Sequence, residues 1–282
     1  MLGMPTIELP SGTLDYIDTG GDGPTVVLVH GLAMDGSVWR HVVEELRGRY
    51  RVVVPTLPFG AHLRPVRPGT DLTPDGMARL LGSFLEELDL TGVTLVQNDA
   101  STGMLLAVSD DPAADRIARL VLASIEAFDN FPPGLPGRTI WLAAKLPGGL
   151  AAAFQPLRVP ALRRLPLAYG LMSKRSVPRE ITDRWAYPLL NSDWARRDLR
   201  AYLVGARPDR LLQAAGQAGS FDRPVLVVWA AEDKVMPPAH GRRLAELFPQ
   251  GSYQEIPDSR TLIPEDQPTP LAAAIDAFIS KN

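Results

Sequence analysis

Short apolar runs that alternate with helical patterns constrain the fold of this chain more than any other feature. Helical spacing of apolar residues covers 37–48, 73–90 and 101–108. Strands that alternate with helices in this way are typical of a parallel sheet with helices on both faces. The sequence therefore predicts an α/β fold with a mostly parallel sheet. The runs predicted as strands are 13–18, 25–30, 51–55, 93–97, 117–123, 224–230 and 252–256.

One segment, residues 127–219, lacks this alternation and is rich in prolines and aromatic residues. Because proline interrupts long helices, short helices are expected there. The pattern predicts a core domain formed by 1–126 and 220–282, and a helical cap formed by 127–219. We expect aromatic residues of this cap to line a pocket for substrate, with Trp141 and Tyr187 as candidates.

Composition limits the classes of function. The chain has 282 residues, a net charge of −3 and a pI near 5.8, which gives no electrostatic reason to expect nucleic acid or an anionic membrane as a partner. The absence of cysteine excludes disulfides, thiolate metal sites and cysteine nucleophiles. We expect no cofactor and no metal. Residues 1–12 lack the regions of a signal peptide, and no apolar run is long enough to span a bilayer. A cytoplasmic protein that binds a small molecule is expected, and its oligomeric state stays open.

A predicted strand, a sharp turn and a predicted helix meet in the run LVQNDASTGM, which places Asp99 at the turn. Residues just past the carboxyl ends of parallel strands face the ligand crevice of α/β enzymes. Aspartate tolerates the positive φ of a strained turn. A carboxylate there can attack an sp³ carbon to form an ester, or it can accept a proton. The alternative is that Asp99 only caps the helix that follows.

Four motifs in order resemble those of the α/β-hydrolase fold superfamily, over essentially the whole chain. The motifs are LVHGLAMDGSVW for the His-Gly oxyanion segment, QNDAST for the nucleophile turn, VVWAAEDKVMPP for the triad acid and SRTLIPEDQP for the triad histidine. The haloalkane dehalogenases and epoxide hydrolases of this superfamily, which use an Asp nucleophile, are the most similar in style. The resemblance implies that Asp99 is the nucleophile, that Asp233 is the acid, and that the amides of Leu32 and Ala100 form an oxyanion hole. It also implies that His30, Gly31 and Asn98 help to form the binding site.

The chain departs from these relatives at several positions. Gln97 stands where the nucleophile turn usually has glycine. Ala100 and Leu32 stand where dehalogenases place the Trp and Asn that hold halide, and Ala33 replaces a proline of epoxide hydrolases. Thr261 stands at the histidine position. Efficient hydrolysis would normally need that histidine as a general base.

Other residues are candidates for the missing roles. His62 follows the predicted strand 51–55 and is the stand-in base, and Glu126 follows the strand 117–123, where some dehalogenases carry their acid. Three cap tyrosines could activate an epoxide oxygen, as in epoxide hydrolases: Tyr169, Tyr187 and Tyr202.

Three hypotheses follow. The first is an enzyme that acts on a small, largely apolar organic substrate through an ester on Asp99. The second is a non-hydrolytic lyase, isomerase or cyclase that uses Asp99 as acid or base in a dry pocket that raises its pKa. The third is a binding protein that has lost catalysis. Fold alone does not decide among them.

Overall fold

A computed structural model describes residues 4–282, and its sheet has eight strands in the order β1-β2-β4-β3-β5-β6-β7-β8. β1 and β2 pair antiparallel with each other and β2 pairs antiparallel with β4, whereas all other neighbours are parallel. The predicted mostly parallel α/β sheet is confirmed. The strands are β1 (Thr6–Leu9), β2 (Gly12–Asp18), β3 (Thr25–Val29), β4 (Arg51–Pro55), β5 (Val93–Asp99), β6 (Ile117–Ile125), β7 (Val225–Ala230) and β8 (Gly251–Ile256).

Helices connect and cover these strands. α2 begins as the sequence predicts, because the Thr73 hydroxyl accepts a hydrogen bond from the Gly76 amide at 3.1 Å and Pro74 occupies the first helical position. The α-helices are α1 (Arg40–Leu46), α2 (Pro74–Glu87), α3 (Thr102–Ala107), α4 (Gly134–Ala144), α5 (Gly149–Phe154), α6 (Arg179–Asn191), α7 (Asp193–Gly205), α8 (Arg210–Gln217), α9 (Pro238–Leu247), α10 (Ile263–Asp266) and α11 (Pro268–Lys281). Short 3₁₀ helices cover Gly36–Trp39, Pro112–Arg116, Gln155–Arg158, Pro160–Arg164 and Ala218–Ser220.

The central strands are buried on both faces, because their side chains alternate between two layers of helices. On β3, Val26 and Leu28 face the cluster that contains α1 and α11 residues. Val27 and Val29 face the opposite cluster, which contains α2, α3, α8 and α9 residues. The central strands are therefore continuous apolar runs, and their carboxyl ends project between the two helical layers.

Residues 127–219, which we call the helical segment, contain α4 to α8 and no strand within the described part of the chain. One edge of this segment is bonded to the core loops. The Tyr169 hydroxyl donates to the Ala33 carbonyl at 2.9 Å, and the Leu262 amide donates to the Met172 carbonyl at 2.7 Å. The amides of Lys174 and Arg175 donate to the buried Asp266 carboxylate at 2.8–2.9 Å. The predicted division into a core domain and a cap domain stays a prediction. Residues 1–3 of the predicted core domain lie outside the described residues.

None of the helices within residues 4–282 has the length and hydropathy needed to cross a membrane.

Candidate active site

Asp99 ends β5, and α3 begins at Thr102, so the strand-to-helix turn predicted from the sequence is present. Asp99 has a φ of 68°, in the left-handed region, and is 3% exposed. The turn brings its carboxylate against Gly31, where any Cβ would overlap the Asp99 side chain. Glycine at position 31 is therefore required by the close approach of the carboxylate.

Hydrogen bonding distinguishes the two carboxylate oxygens of Asp99. The Leu32 amide donates to Oδ2 at 2.9 Å, while Oδ1 accepts no hydrogen bond from any residue between 4 and 282. The Ala100 amide, the second predicted donor, makes no hydrogen bond with this carboxylate among the described contacts. Burial raises the pKa of Asp99 to about 7 against the Leu32 hydrogen bond, and the negative charge of Asp233 adds to the rise. A substantial fraction of Asp99 is thus charged at neutral pH, with one oxygen available for attack.

The Asp99 carboxylate lines a cavity of about 350 Å³ between the sheet and the helical segment. The wall is apolar and includes Leu32 and Val235 from the core. Three aromatic residues of the helical segment also line it: Phe131, Phe154 and Tyr169. A cavity of this size and character suits a small, largely apolar molecule.

Glu126 supplies a second carboxyl group to the cavity. It follows β6, and its amide donates to the Asp99 carbonyl at 2.8 Å, which fixes the two backbones side by side. Its side chain is 1% exposed, and neither carboxyl oxygen has a hydrogen-bond partner within the described residues. Burial, with a smaller contribution from Asp99, raises the pKa of Glu126 well above its usual value. Burial therefore favours the protonated form of Glu126, whose O–H can be donated to a ligand.

Asp233 and Thr261, at the predicted acid and histidine positions, form a hydrogen bond with each other and not a proton relay. The Thr261 hydroxyl donates to Asp233 Oδ1 at 2.7 Å, and the amides of Val235 and Met236 donate to the same oxygen at 2.9 and 2.8 Å. Burial raises the pKa of Asp233. Neither Asp233 nor Thr261 lines the cavity. Asn98 Nδ2 donates a hydrogen bond to the Thr261 carbonyl at 2.8 Å, which connects β5 to the segment that contains Thr261. Asn98 does not line the cavity either.

The two histidines of interest have structural partners. His62 Nε2 lies 3.2 Å from the Asp198 carboxylate, both side chains are buried, and His62 does not line the Asp99 cavity. The structure thus places the predicted stand-in base elsewhere. His30 accepts from the Leu57 amide at Nε2, 2.9 Å away, and burial lowers its pKa to about 4. His30 is neutral, and it links the turn at Gly31 to the loop at Leu57.

The two aromatic residues predicted to contact substrate do not reach the cavity. Tyr187 is 62% exposed, and Trp141 lies half-buried with the Lys145 ammonium 3.2 Å from its ring centroid. Tyr202 is buried, and the nearby charges of Glu126 and Asp99 add to the large effect of burial in raising the pKa of its phenol. It too is absent from the cavity wall. Of the three candidate tyrosines, the wall contains Tyr169, whose hydroxyl is already bonded to Ala33.

Gln97 has a structural explanation at its unusual position. Its Oε1 accepts from the Gly103 amide at 2.9 Å, and its Nε2 donates to the Asn98 carbonyl at 3.0 Å. A Cβ at Gly103 would lie 3.2 Å from Leu95 Cδ2, so glycine at 103 lets the first turn of α3 lie close to β5. Gln97 therefore secures the first turn of α3 to the sheet.

Comparison with known proteins relates this chain to α/β hydrolases, both in sequence and in fold. The family described as alpha/beta hydrolase fold matches residues 24–268. Haloalkane dehalogenase 2 of Mycobacterium bovis is 27% identical over 279 residues, covering 94% of this chain and 90% of that protein. A cis-3-alkyl-4-alkyloxetan-2-one decarboxylase of Xanthomonas campestris pv. campestris is 28% identical over 297 residues, covering 97% and 94%. The crystal structure of an ancestral haloalkane dehalogenase superposes with a TM-score of 0.79 and 17% identity over 99% of each chain, a likeness of fold.

Proposed function

Because this chain belongs to the α/β-hydrolase family, and is an enzyme related to haloalkane dehalogenases, we propose that it hydrolyses small, largely apolar epoxides through an ester on Asp99. The helical segment acts as its cap. The observation that carries the proposal is the pair of carboxyl groups in one apolar cavity: Asp99 with an unbonded Oδ1, and Glu126 as an unpartnered neutral acid.

In the first step Asp99 Oδ1 attacks a ring carbon of the epoxide and the carbon–oxygen bond breaks. Glu126 gives its proton to the departing oxygen. The products are a hydroxyalkyl ester of Asp99 and a Glu126 carboxylate. Support comes from the Leu32 amide, which holds Oδ2 at 2.9 Å and leaves Oδ1 to attack.

In the second step the Glu126 carboxylate takes a proton from water, and the hydroxide attacks the ester carbonyl carbon. The carbonyl oxygen is Oδ2, so the Leu32 amide is already placed to stabilise the negative charge that develops on it. The hydroxyl proton of the tetrahedral intermediate passes to the leaving oxygen. One epoxide and one water give one diol, and the Asp99 carboxylate and Glu126 acid return. Glu126 thereby performs the role that Thr261 lacks the basicity to perform.

The same chemistry disfavours alkyl halides. A halide leaving group takes no proton, so Glu126 would stay neutral and the ester would have no base for its hydrolysis. The positions that resemble halide-binding ones are Leu32 and Ala100, whose side chains have no N–H donor. An alkyl bromide is therefore expected to leave a stable ester on Asp99.

The test compares styrene oxide with phenethyl bromide. We expect diol from the epoxide, and from the bromide an intact-mass adduct on Asp99 that is absent in Asp99→Asn. In labelled water, the heavy oxygen should enter the Asp99 carboxylate during epoxide turnover. Glu126→Gln should lower epoxide turnover by about 10²–10⁴-fold, while the control Tyr187→Phe, outside the cavity, should be unaffected. Epoxide turnover without label in Asp99, or rapid release of bromide, would contradict the mechanism.

A second candidate is decarboxylation of a β-lactone to an alkene and carbon dioxide. It is favoured by the similarity to the oxetanone decarboxylase and by the lack of histidine in the described cavity wall, since this fragmentation consumes no water. Alkene formation from a cis-dialkyl β-lactone, with no diol formed from any epoxide, would establish this reaction in place of the first.

A further inference from the structure

One run of the helical segment has basic residues and no acidic ones. Residues 130–179 contain eight Lys and Arg and no Asp or Glu. All 32 acidic residues therefore lie outside this run, together with 21 of the 29 basic residues. The net charge of −3 conceals a protein with one cationic region on an otherwise acidic chain.

Half of these cations have no carboxylate partner. Arg163 and Arg179 pair with Asp183, Lys174 pairs with Glu232 and Asp258, and Arg175 pairs with Asp258. The other four form no salt bridge within residues 4–282, and all are exposed: Arg138, Lys145, Arg158 and Arg164. Their charge is directed to solvent.

Exposed apolar side chains are interleaved with the unpaired cations. Within the described chain, the run contains six of the eleven large apolar residues that are strongly exposed: Leu135, Leu142, Leu146, Val159, Leu165 and Leu167. Val159 follows Arg158 and Leu165 follows Arg164 directly in the sequence. Leucines among arginines and lysines that have no carboxylate partner are typical of surfaces that lie in the interface of an anionic membrane.

α4 joins this surface to the active site. At 100° per residue, Leu135, Arg138 and Leu142 share the outer face, and the exposed Lys145 and Leu146 follow directly after the helix. Trp141 flanks this face, half-buried, as aromatic residues do at membrane interfaces. The other side of α4 lines the Asp99 cavity through Pro136, Gly137 and Ile140, and Thr139, at the edge of the outer face, also contributes to the cavity wall.

Leu165 and Leu167 mark where the cavity opens. Both line it, yet they are 49% and 53% exposed, so they lie at its mouth. The mouth is thus rimmed by the same run that bears the unpaired cations. An apolar molecule dissolved in lipid would pass from that rim into the cavity without crossing water.

From this arrangement we infer that the outer face of α4 and the cavity mouth dock on a membrane rich in anionic phospholipid, from which the enzyme takes apolar substrate. The inference does not depend on the chemistry at Asp99. It departs from the expectation of no membrane partner, which was drawn from the whole-chain charge and averaged the cationic run with the acidic remainder. Since no described helix can cross the bilayer, the protein lies on the membrane and does not span it.

The test is co-sedimentation of the full chain with vesicles of equal parts phosphatidylcholine and phosphatidylglycerol, and with phosphatidylcholine alone. We expect binding to the anionic vesicles that weakens towards ~0.15 M salt, where screening is strong. Arg138→Gln with Lys145→Gln should weaken binding about 25-fold, since each surface cation contributes about fivefold. Leu142→Gln with Leu146→Gln should have an effect of about the same size.

The matched control is Leu212→Gln with Leu247→Gln, two leucines that are also exposed but lie outside the run. It should bind as the parent does. Tryptophan emission should shift to shorter wavelength on binding, and this shift should be lost in Trp141→Phe. No binding to anionic vesicles at low salt would overturn the inference. Equal binding by the Leu142/Leu146 variant would also overturn it, because charge alone would then explain the attraction.

Discussion

Replacing Asp99 by Asn is expected to stabilise the protein, by an amount that depends on pH. The Leu32 amide can keep its hydrogen bond to the Asn carbonyl, and the shape of the side chain is retained. What the change removes is a carboxyl group whose charge burial disfavours, so that its pKa rises from 3.8 to about 7. The native state then holds a proton that the unfolded chain has already released, and the stability of the parent falls as pH rises through this window.

The magnitude follows from the two pKa values. Their difference of about three pH units, at about 1.4 kcal/mol each, corresponds to about 4 kcal/mol. Asp99→Asn should therefore match the parent near pH ~4, gain stability between pH ~4 and ~7, and exceed it by up to about 4 kcal/mol above pH ~7. The buried Asp99 carboxyl group therefore lowers the unfolding free energy of the protein above pH ~4, as is common for residues that active sites require.

The measurement is urea unfolding of parent and variant near pH ~4, ~6 and ~8, followed by tryptophan fluorescence, with equal m-values required. The control is Asp22→Asn at an exposed carboxylate that forms no salt bridge among the described residues, and its stability should follow the parent at every pH. A constant difference for Asp99→Asn across this range, or a variant less stable than the parent near pH ~8, would refute the reasoning.

Further predictions concern residues around the site. Epoxide turnover should increase as pH rises through about 7, where Asp99 loses its proton, and a flat profile would argue against Asp99 as nucleophile. His62→Ala should leave turnover unchanged but cost about 2 kcal/mol of unfolding free energy, because Asp198 loses a partner. Thr261→Val should cost about 1–3 kcal/mol without affecting turnover. Gly31→Ala should abolish turnover, since its Cβ would overlap Asp99; an active variant would contradict that geometry.

Local sequence patterns predict the sheet well, because burial on both faces demands continuous apolar runs. The position of Asp99 at a strained turn is predicted because few residues accept that backbone conformation. β1 was not predicted, since TIEL is a short, mostly exposed edge strand that pairs with β2 alone. Glu126 could be proposed from its place after β6. The sequence could not predict that the Glu126 carboxyl group has no hydrogen-bond partner, because this depends on which residues of the helical segment pack against it.

The candidates that the structure moved away from the cavity share one physical reason. His62 follows β4, at the predicted edge of the sheet, but its ring turns towards Asp198, 136 residues later in the chain. Trp141 is large and aromatic, yet α4 presents its Pro, Gly, Thr and Ile side to the cavity. Which way a side chain faces is decided by distant packing, which no local pattern records.

The two edges of the helical segment differ in how they are attached, and this has a consequence for substrate entry. The edge at 169–175 is joined to Ala33, Leu262 and Asp266 by a set of hydrogen bonds, so lifting it would break several bonds together and disturb the turn at Ala33. α4 carries no comparable set of hydrogen bonds to the core in the described contacts. The loop before it has two, from Asn130 Nδ2 to the Val235 carbonyl at 3.0 Å and to Met236 Sδ at 3.3 Å. The difference in hydrogen bonding therefore predicts that α4 opens away from the core more readily than the edge at 169–175. Amide hydrogen exchange should be faster in α4 than along 169–175.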